Sequence, residues 1–390
     1  MKTTFIFCLI LLPVFLFAQE SCFSDGLIIY DQSQVTNFSQ DYPNCTTIEG
    51  DLILNGNVNF IGMEQLVEIQ GYIRCGGDGE CSNAGPHEDF LGLENVTILG
   101  GIDLEEHSFS FEGLSSLETI NENFLLEECN ITDFGALSSL VSIGGDFHMN
   151  ETDFESFNGL ENVVSVGGFF RVYENNTLLT TDVVGSLISV GGYFQFDECP
   201  SLTDFTYFTQ LTQVGGDFEI SDCPSISTLE GFENVMSIDG ELLIVDCPAL
   251  INIEGVASID SESITSVSIS NNPMLSYCSV ASVCEHLLAG GNSLIQMNLA
   301  GCETAQEVES QCSVNIGVVD AVQFSVESNV VNDVLHVVNP MNVNFRIYNQ
   351  EGKMLHQSSS SGTIFVNDLA AGMYTISAVE NGLQLRFIKE

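Results

Sequence analysis

Residues 159–182 read GLENVVSVGGFFRVYENNTLLTTD, residues 183–206 read VVGSLISVGGYFQFDECPSLTDFT, and residues 207–230 read YFTQLTQVGGDFEISDCPSISTLE. Set one under another, the three lines put Val166, Val190 and Val214 in one column, each followed by a Gly-Gly pair and then alternating apolar residues. Self-similarity at a fixed period is the mark of a repeat architecture. Working outward, the same anchor recurs at Ile48, Ile69, Ile98, Ile120, Ile143 and Ile238, at intervals of 21 to 24 residues apart from one of 29 that holds the insertion CGGDGECSNAGPHED at residues 75 to 89. Nine coils are visible in this way.

Large apolar side chains stand at the fourth and usually the sixth position after each anchor, as in Phe170 and Val172, Phe194 and Phe196, Phe218 and Ile220. Period-two alternation over a short segment predicts a strand with one buried face. The preceding glycines mark a turn that needs special backbone angles or close approach. One strand per coil predicts a parallel sheet running along a solenoid, in which each coil buries its apolar edge on its neighbours and the ends require caps. The fold class is therefore all-β dominated: a right-handed parallel β-helix or leucine-rich-repeat-like solenoid, followed by a small β-sandwich.

The chain has 390 residues, of which 44% are hydrophobic and 16% charged, so it has the apolar content to fold despite a formal charge of -47. Residues 19 to 317 hold 47 acids against two cations, Arg74 and Arg171. Such a surface repels phosphate backbones and anionic lipid, which argues against nucleic-acid binding and favours neutral or cationic ligands. The opening MKTTFIFCLILLPVFLFAQE has a Lys, an apolar run too short to span a bilayer and a small Ala18, so residues 1–18 read as a secretory signal peptide. No later segment is long and apolar enough to be a transmembrane span.

Of thirteen cysteines, Cys8 falls in the signal, and the other twelve enter an oxidising compartment where disulfides persist. Cys22 and Cys45 bracket the start, Cys75 and Cys81 bracket a short loop, and Cys278, Cys284, Cys302 and Cys312 cluster at the end of the acidic region. These eight are expected in disulfides, with the connectivity of the last four open. Cys129, Cys199, Cys223 and Cys247 recur at one repeat position instead, and are expected to stack as buried thiols packing like small hydrophobes.

Two stretches resemble known families. Residues 22 to 54, ending in NCTTIEGDLIL, together with FEGLSSLETI, FNGLENVVSVGG and LEGFENVMSIDG, resemble the receptor L domain, the leucine-rich-repeat-like β-helix of insulin-receptor and epidermal-growth-factor-receptor ectodomains. That likeness covers residues 22 to 312. It departs from the receptors in its more regular coils and in lacking a cysteine-rich module and a kinase. Residues 318 to 390, with VNFRIYNQEGKML, VNDLAAGMYTISAVENG and RFIKE, are similar to the C-terminal sorting domain of the bacterial type IX secretion system, although FSVESNVVNDVLHV lacks that family's Pro-Asn-Pro segment. The resemblance implies a Bacteroidota-type protein whose residues 318–390 engage the type IX machinery and deliver it to the outer-membrane cell surface or the medium. The expected organisation is signal peptide 1–18, receptor L domain-like solenoid 19–317 and sorting domain 318–390.

No catalytic constellation is present in the sequence. None of the six histidines sits in a tight metal-binding spacing, His87-Glu88-Asp89 reads as a solvated loop, and the Gly-Gly pairs lack the Lys-Ser/Thr of a phosphate loop. Catalytic and metal residues are thus expected to be absent, and no cofactor is expected. Calcium is the one candidate ion, at Asp78-Gly79-Glu80 and the turns around Asp222 and Asp246, with plain solvation as the alternative.

The third and fifth positions after each anchor are expected to point to solvent. They collect both arginines of the repeat region, Arg74 and Arg171, beside Tyr72, Phe169, Tyr193 and His148. Aromatic and arginine side chains are enriched in binding surfaces. These six residues are the expected ligand-binding face of a non-enzymatic recognition or adhesion protein for a protein or glycan ligand, with coverage by a neighbouring loop as the plainer reading. The rival readings are a β-helical polysaccharide lyase or hydrolase using Asp146, His148 and Arg171, and a structural surface-layer protein.

Overall fold

A computed structural model describes residues 20–55, 59–75, 89–106, 108–131, 134–181 and 184–317, and of the C-terminal region residues 325–326, 330–331, 334–338, 343–349, 353–360, 363–378 and 384–389. The chain divides into two compact units, Met1–Cys312 and Ser313–Glu390. Among the described residues no helix is long and apolar enough to cross a membrane. Residues 1–18, the expected signal peptide, lie outside the described residues.

The first unit is a parallel β-solenoid of about 11 turns. In the regular coils a two-residue strand carries the anchor and a four-residue strand follows the glycine pair, as at Ser165–Val166 and Phe170–Tyr173. The longer strands pair in register, so Phe147, Phe170, Phe194 and Phe218 form one inward row and Met149, Val172, Phe196 and Ile220 the next. Phe147, Phe170, Phe194 and Phe218 stack ring on ring, with centroids 4.7, 5.4 and 5.4 Å apart. The rows are almost completely removed from water. Burying a phenyl side chain contributes about 1.5–3 kcal/mol, which makes these rows the main cohesive term between coils.

The glycine pairs serve close approach rather than unusual angles. A Cβ at Gly167 would collide with the carbonyl oxygen of Gly144 one coil earlier, and no positive φ is found there. Left-handed backbone falls elsewhere. It recurs at the residue that closes each longer strand: Glu128, Glu151, Glu174, Glu198, Asp222 and Asp246 all have φ between 46° and 54°.

The residue after each of these acids forms a buried column, Cys129, Thr152, Asn175, Cys199, Cys223 and Cys247, which Asn272 continues after the left-handed Asn271. Its members are hydrogen-bond donors to carbonyls of earlier coils. Thr152 Oγ1 donates to Leu126 O at 3.3 Å, Asn175 Nδ2 to Thr152 O at 2.6 Å, Cys247 Sγ to Ile220 O at 3.8 Å and Asn272 Nδ2 to Ile244 O at 3.0 Å. The thiols are buried as expected, and they add weak donors at turns where strand pairing stops and buried carbonyls require partners. The thiols of Cys199, Cys223 and Cys247 are free and buried. Burial is the main cause that pushes the Cys247 thiol up to about 12, and a hydrogen bond with Cys199 is the main cause that raises Cys223.

The caps are stapled. Cys22–Cys45 joins the first two turns with Cα atoms 5.8 Å apart, while Cys278–Cys302 and Cys284–Cys312 resolve the open connectivity at the other end, at 5.6 and 5.4 Å. Cys75 is disulfide-bonded, and its expected partner Cys81 lies outside the described residues. Helices Ala281–Leu288 and Ala305–Gly317 close the C-terminal end.

The second unit holds a five-stranded sheet and a three-stranded sheet, antiparallel except where Val330–Val331 pairs with Gln384–Lys389. Phe345, Ile347, Ile364, Val366 and Ile376 are buried within it.

Candidate functional site

The outward face of the longer strands carries three columns of side chains, at the third, fifth and seventh positions after the anchors. In the third column polar residues bond to the next coil's backbone. Asp146 Oδ1 accepts from the Phe169 N–H at 3.0 Å and Asp217 Oδ1 from the Glu241 N–H at 2.7 Å, just as Asp51 Oδ1 accepts from the Tyr72 N–H at 2.9 Å. Between Asp146 and Asp217 the column is aromatic, and the rings of Phe169 and Tyr193 stack at 4.5 Å and 8°. His148 meets Phe169 edge-on at 5.5 Å.

Strand register places His148, Arg171, Gln195 and Glu219 side by side in the fifth column. Arg171 Nη1 is 3.4 Å from His148 Nε2, and its guanidinium lies over the Tyr173 ring at 4.5 Å from the centroid. Arg171 Nε is buried with no hydrogen-bond partner. Burial, then the Arg171 charge, lowers the pKa of His148. A guanidinium can only donate, so Nε2 is the acceptor of this contact. Burial raises the Glu219 carboxyl, which accepts from Ser221 Oγ at 2.8 Å. Gln195 is buried under its crowded neighbours rather than solvent-facing.

The structure brings four of the six expected ligand residues together, His148, Phe169, Arg171 and Tyr193, on three consecutive coils. Tyr72 and Arg74 lie four coils before Arg171, about 19 Å away at the spacing of adjacent strands. There Arg74 Nε meets Asp51 Oδ2 at 3.3 Å, an ion pair too poorly angled for a hydrogen bond, and the guanidinium covers the Tyr72 ring at 4.6 Å. Tyr72 itself packs over Gly101, where any Cβ would strike its ring. Tyr173 stands at the seventh position, one step of the alternation beyond the two positions that define the expected face.

The calcium candidates Asp222 and Asp246 stand on adjacent coils in the left-handed column, whereas Asp78, Gly79 and Glu80 lie outside the described residues, as do His87, Glu88 and His107. Among the described residues no group of three His, Cys, Asp or Glu side chains is arranged to hold a metal ion. Like charge is felt along this column: Glu174 is the main cause that raises the carboxyl of Glu151, and burial, then Asp246, raises Asp222.

No protein-family model matches the chain, and no curated protein matches it.

Proposed function

We propose that the chain is an exported, non-enzymatic recognition protein whose solenoid presents the patch of His148, Phe169, Arg171 and Tyr193 to a ligand. The observation that carries this reading is the guanidinium of Arg171, held beside stacked aromatic rings and without an ion pair among the described residues, on a unit otherwise crowded with carboxylates. Tyrosine and arginine side chains are enriched among binding hot spots, and the four residues of this patch are half-buried rather than covered. The resemblance of residues 22 to 312 to the receptor L domain supports recognition over catalysis. The resemblance of residues 318 to 390 to the type IX sorting domain supports delivery to the outer-membrane surface or the medium, and three disulfides are compatible with that setting.

The lyase or hydrolase reading is weakened by what its three residues already do. Asp146 is engaged with the Phe169 amide, and His148 is a weakened base facing a cation. A glycan and protein array probed with the mature protein, with and without calcium, tests the proposal. Saturable binding that disappears in a Phe169→Ala/Arg171→Gln variant is the expected result; a silent array, or equal binding by the variant, overturns it.

A further inference from the structure

Arg171 is distinctive for what does not reach it. Residues 19 to 317 carry 47 acids, yet the one ion pair among the described residues belongs to Arg74. The acid one coil before Arg171 in the third column, Asp146, holds the Phe169 N–H. The partner across the register, His148, bears no carboxylate and meets the guanidinium through one ring nitrogen, Nε2, at 3.4 Å. Tyr173 supports the guanidinium through its ring face, which holds the plane of the fork without neutralising its charge. A guanidinium fixed in this way is a receptor for a planar anion, because its donors match a carboxylate two at a time.

Beside it, Tyr193 uses one ring face on Phe169, and on the other side the next coil presents Asp217, whose Oδ1 is turned to the Glu241 N–H. A half-buried aromatic ring beside a fixed cation, with the Glu219 carboxyl two coils beyond Arg171 and already bonded to Ser221, suits a sugar-type ring that carries one carboxylate. The surrounding acids set the limit on charge: a polyanion is repelled by the chain as a whole, whereas a single carboxylate placed on Arg171 is not.

Building on the recognition reading above, we infer that the patch takes a hexuronate-type sugar within an otherwise neutral glycan, its carboxylate on Arg171 and its ring on Tyr193. The test compares methyl β-D-glucuronoside with methyl β-D-glucoside, titrated into the full mature protein and followed by saturation-transfer NMR. The glucuronoside is expected to bind about tenfold more tightly, the scale of one hydrogen-bonded charge. Arg171→Gln is expected to erase that difference, Arg171→Lys to retain part of it, and Tyr193→Ala to weaken both sugars together. Thermal melts of each variant show that the solenoid is intact. Equal binding of the two sugars, or a preference that survives Arg171→Gln, overturns the inference. If the array instead yields a ligand dependent on Phe169 and Arg171 while the glucuronoside does not bind, the uronate assignment falls and the recognition reading stands; silence in both experiments removes both.

Discussion

Arg74 and Arg171 occupy the same position of coils four turns apart, each with its guanidinium over a tyrosine ring, yet the two patches have opposite character. Around Arg74, Asp51 pairs with the guanidinium, and Tyr72 lies against Gly101. Around Arg171 the corresponding acid, Asp146, makes the same backbone bond as Asp51 but no ion pair with the arginine, the neighbouring coil contributes His148, and the rings of Phe169 and Tyr193 lean on each other. The same column of a repeat can therefore be closed in one place and open in another, by the choice of a few residues.

The largest effect available is on the scaffold under the open patch. Phe194→Ala removes a completely buried ring lying between Tyr193 and Gln195, and is expected to cost about 3–5 kcal/mol in a denaturant melt, with loss of ligand binding. Next, Arg171→Gln is expected to reduce binding of an array ligand at least tenfold while Arg74→Gln leaves it unchanged; similar losses from both would erase the distinction between the patches.

A smaller effect sharpens the closed side. Asp51→Asn keeps an acceptor for the Tyr72 N–H but removes the ion pair, which is about one-third exposed, so the expected loss is under about 1 kcal/mol and should vanish at high salt. A melt showing several kcal/mol would mean that the pair is a structural keystone.

The smallest effect is the pH dependence. The folded state lowers the pKa of His148, so its contribution is fully present above the ordinary value of 6.5 and is lost as pH falls from there through the lower folded value. Glu219 works in the opposite sense, because its raised carboxyl takes up a proton more readily in the folded chain. Relative to wild type, His148→Gln is therefore expected to lose less stability, and Glu219→Gln more, when melts at neutral pH are compared with melts near pH 5. Parallel curves for all three proteins would show that neither group is perturbed by the fold.

Much of the solenoid is legible because its period and its inward alternation are set by backbone geometry. The anchors from Ile48 to Ile238 mark nine coils. The remaining turns are obscured because Ser266–Ser270 follows Ile264 and Thr265 instead of a glycine pair, Asn292–Gln296 follows a helix, and Leu27–Ile29 precedes the first anchor. The donor column is hidden for a different reason: Cys, Thr and Asn share one hydrogen-bonding task without sharing a residue type. In the candidate site, sequence places His148, Phe169, Arg171 and Tyr193 on one face but does not assign their partners. Whether Asp51 or Asp146 reaches its arginine is decided by side-chain rotamers between coils, and Gln195 is buried by crowding that alternation does not encode.

The most direct test of the account sets the two patches against each other on the same array. Binding profiles of the mature wild type, a Tyr72→Ala/Arg74→Gln variant and a Phe169→Ala/Arg171→Gln variant would be recorded side by side. The first variant is expected to retain the wild-type profile and the second to lose it. Loss confined to the first variant, or equal loss in both, would contradict the claim that recognition is centred on Arg171.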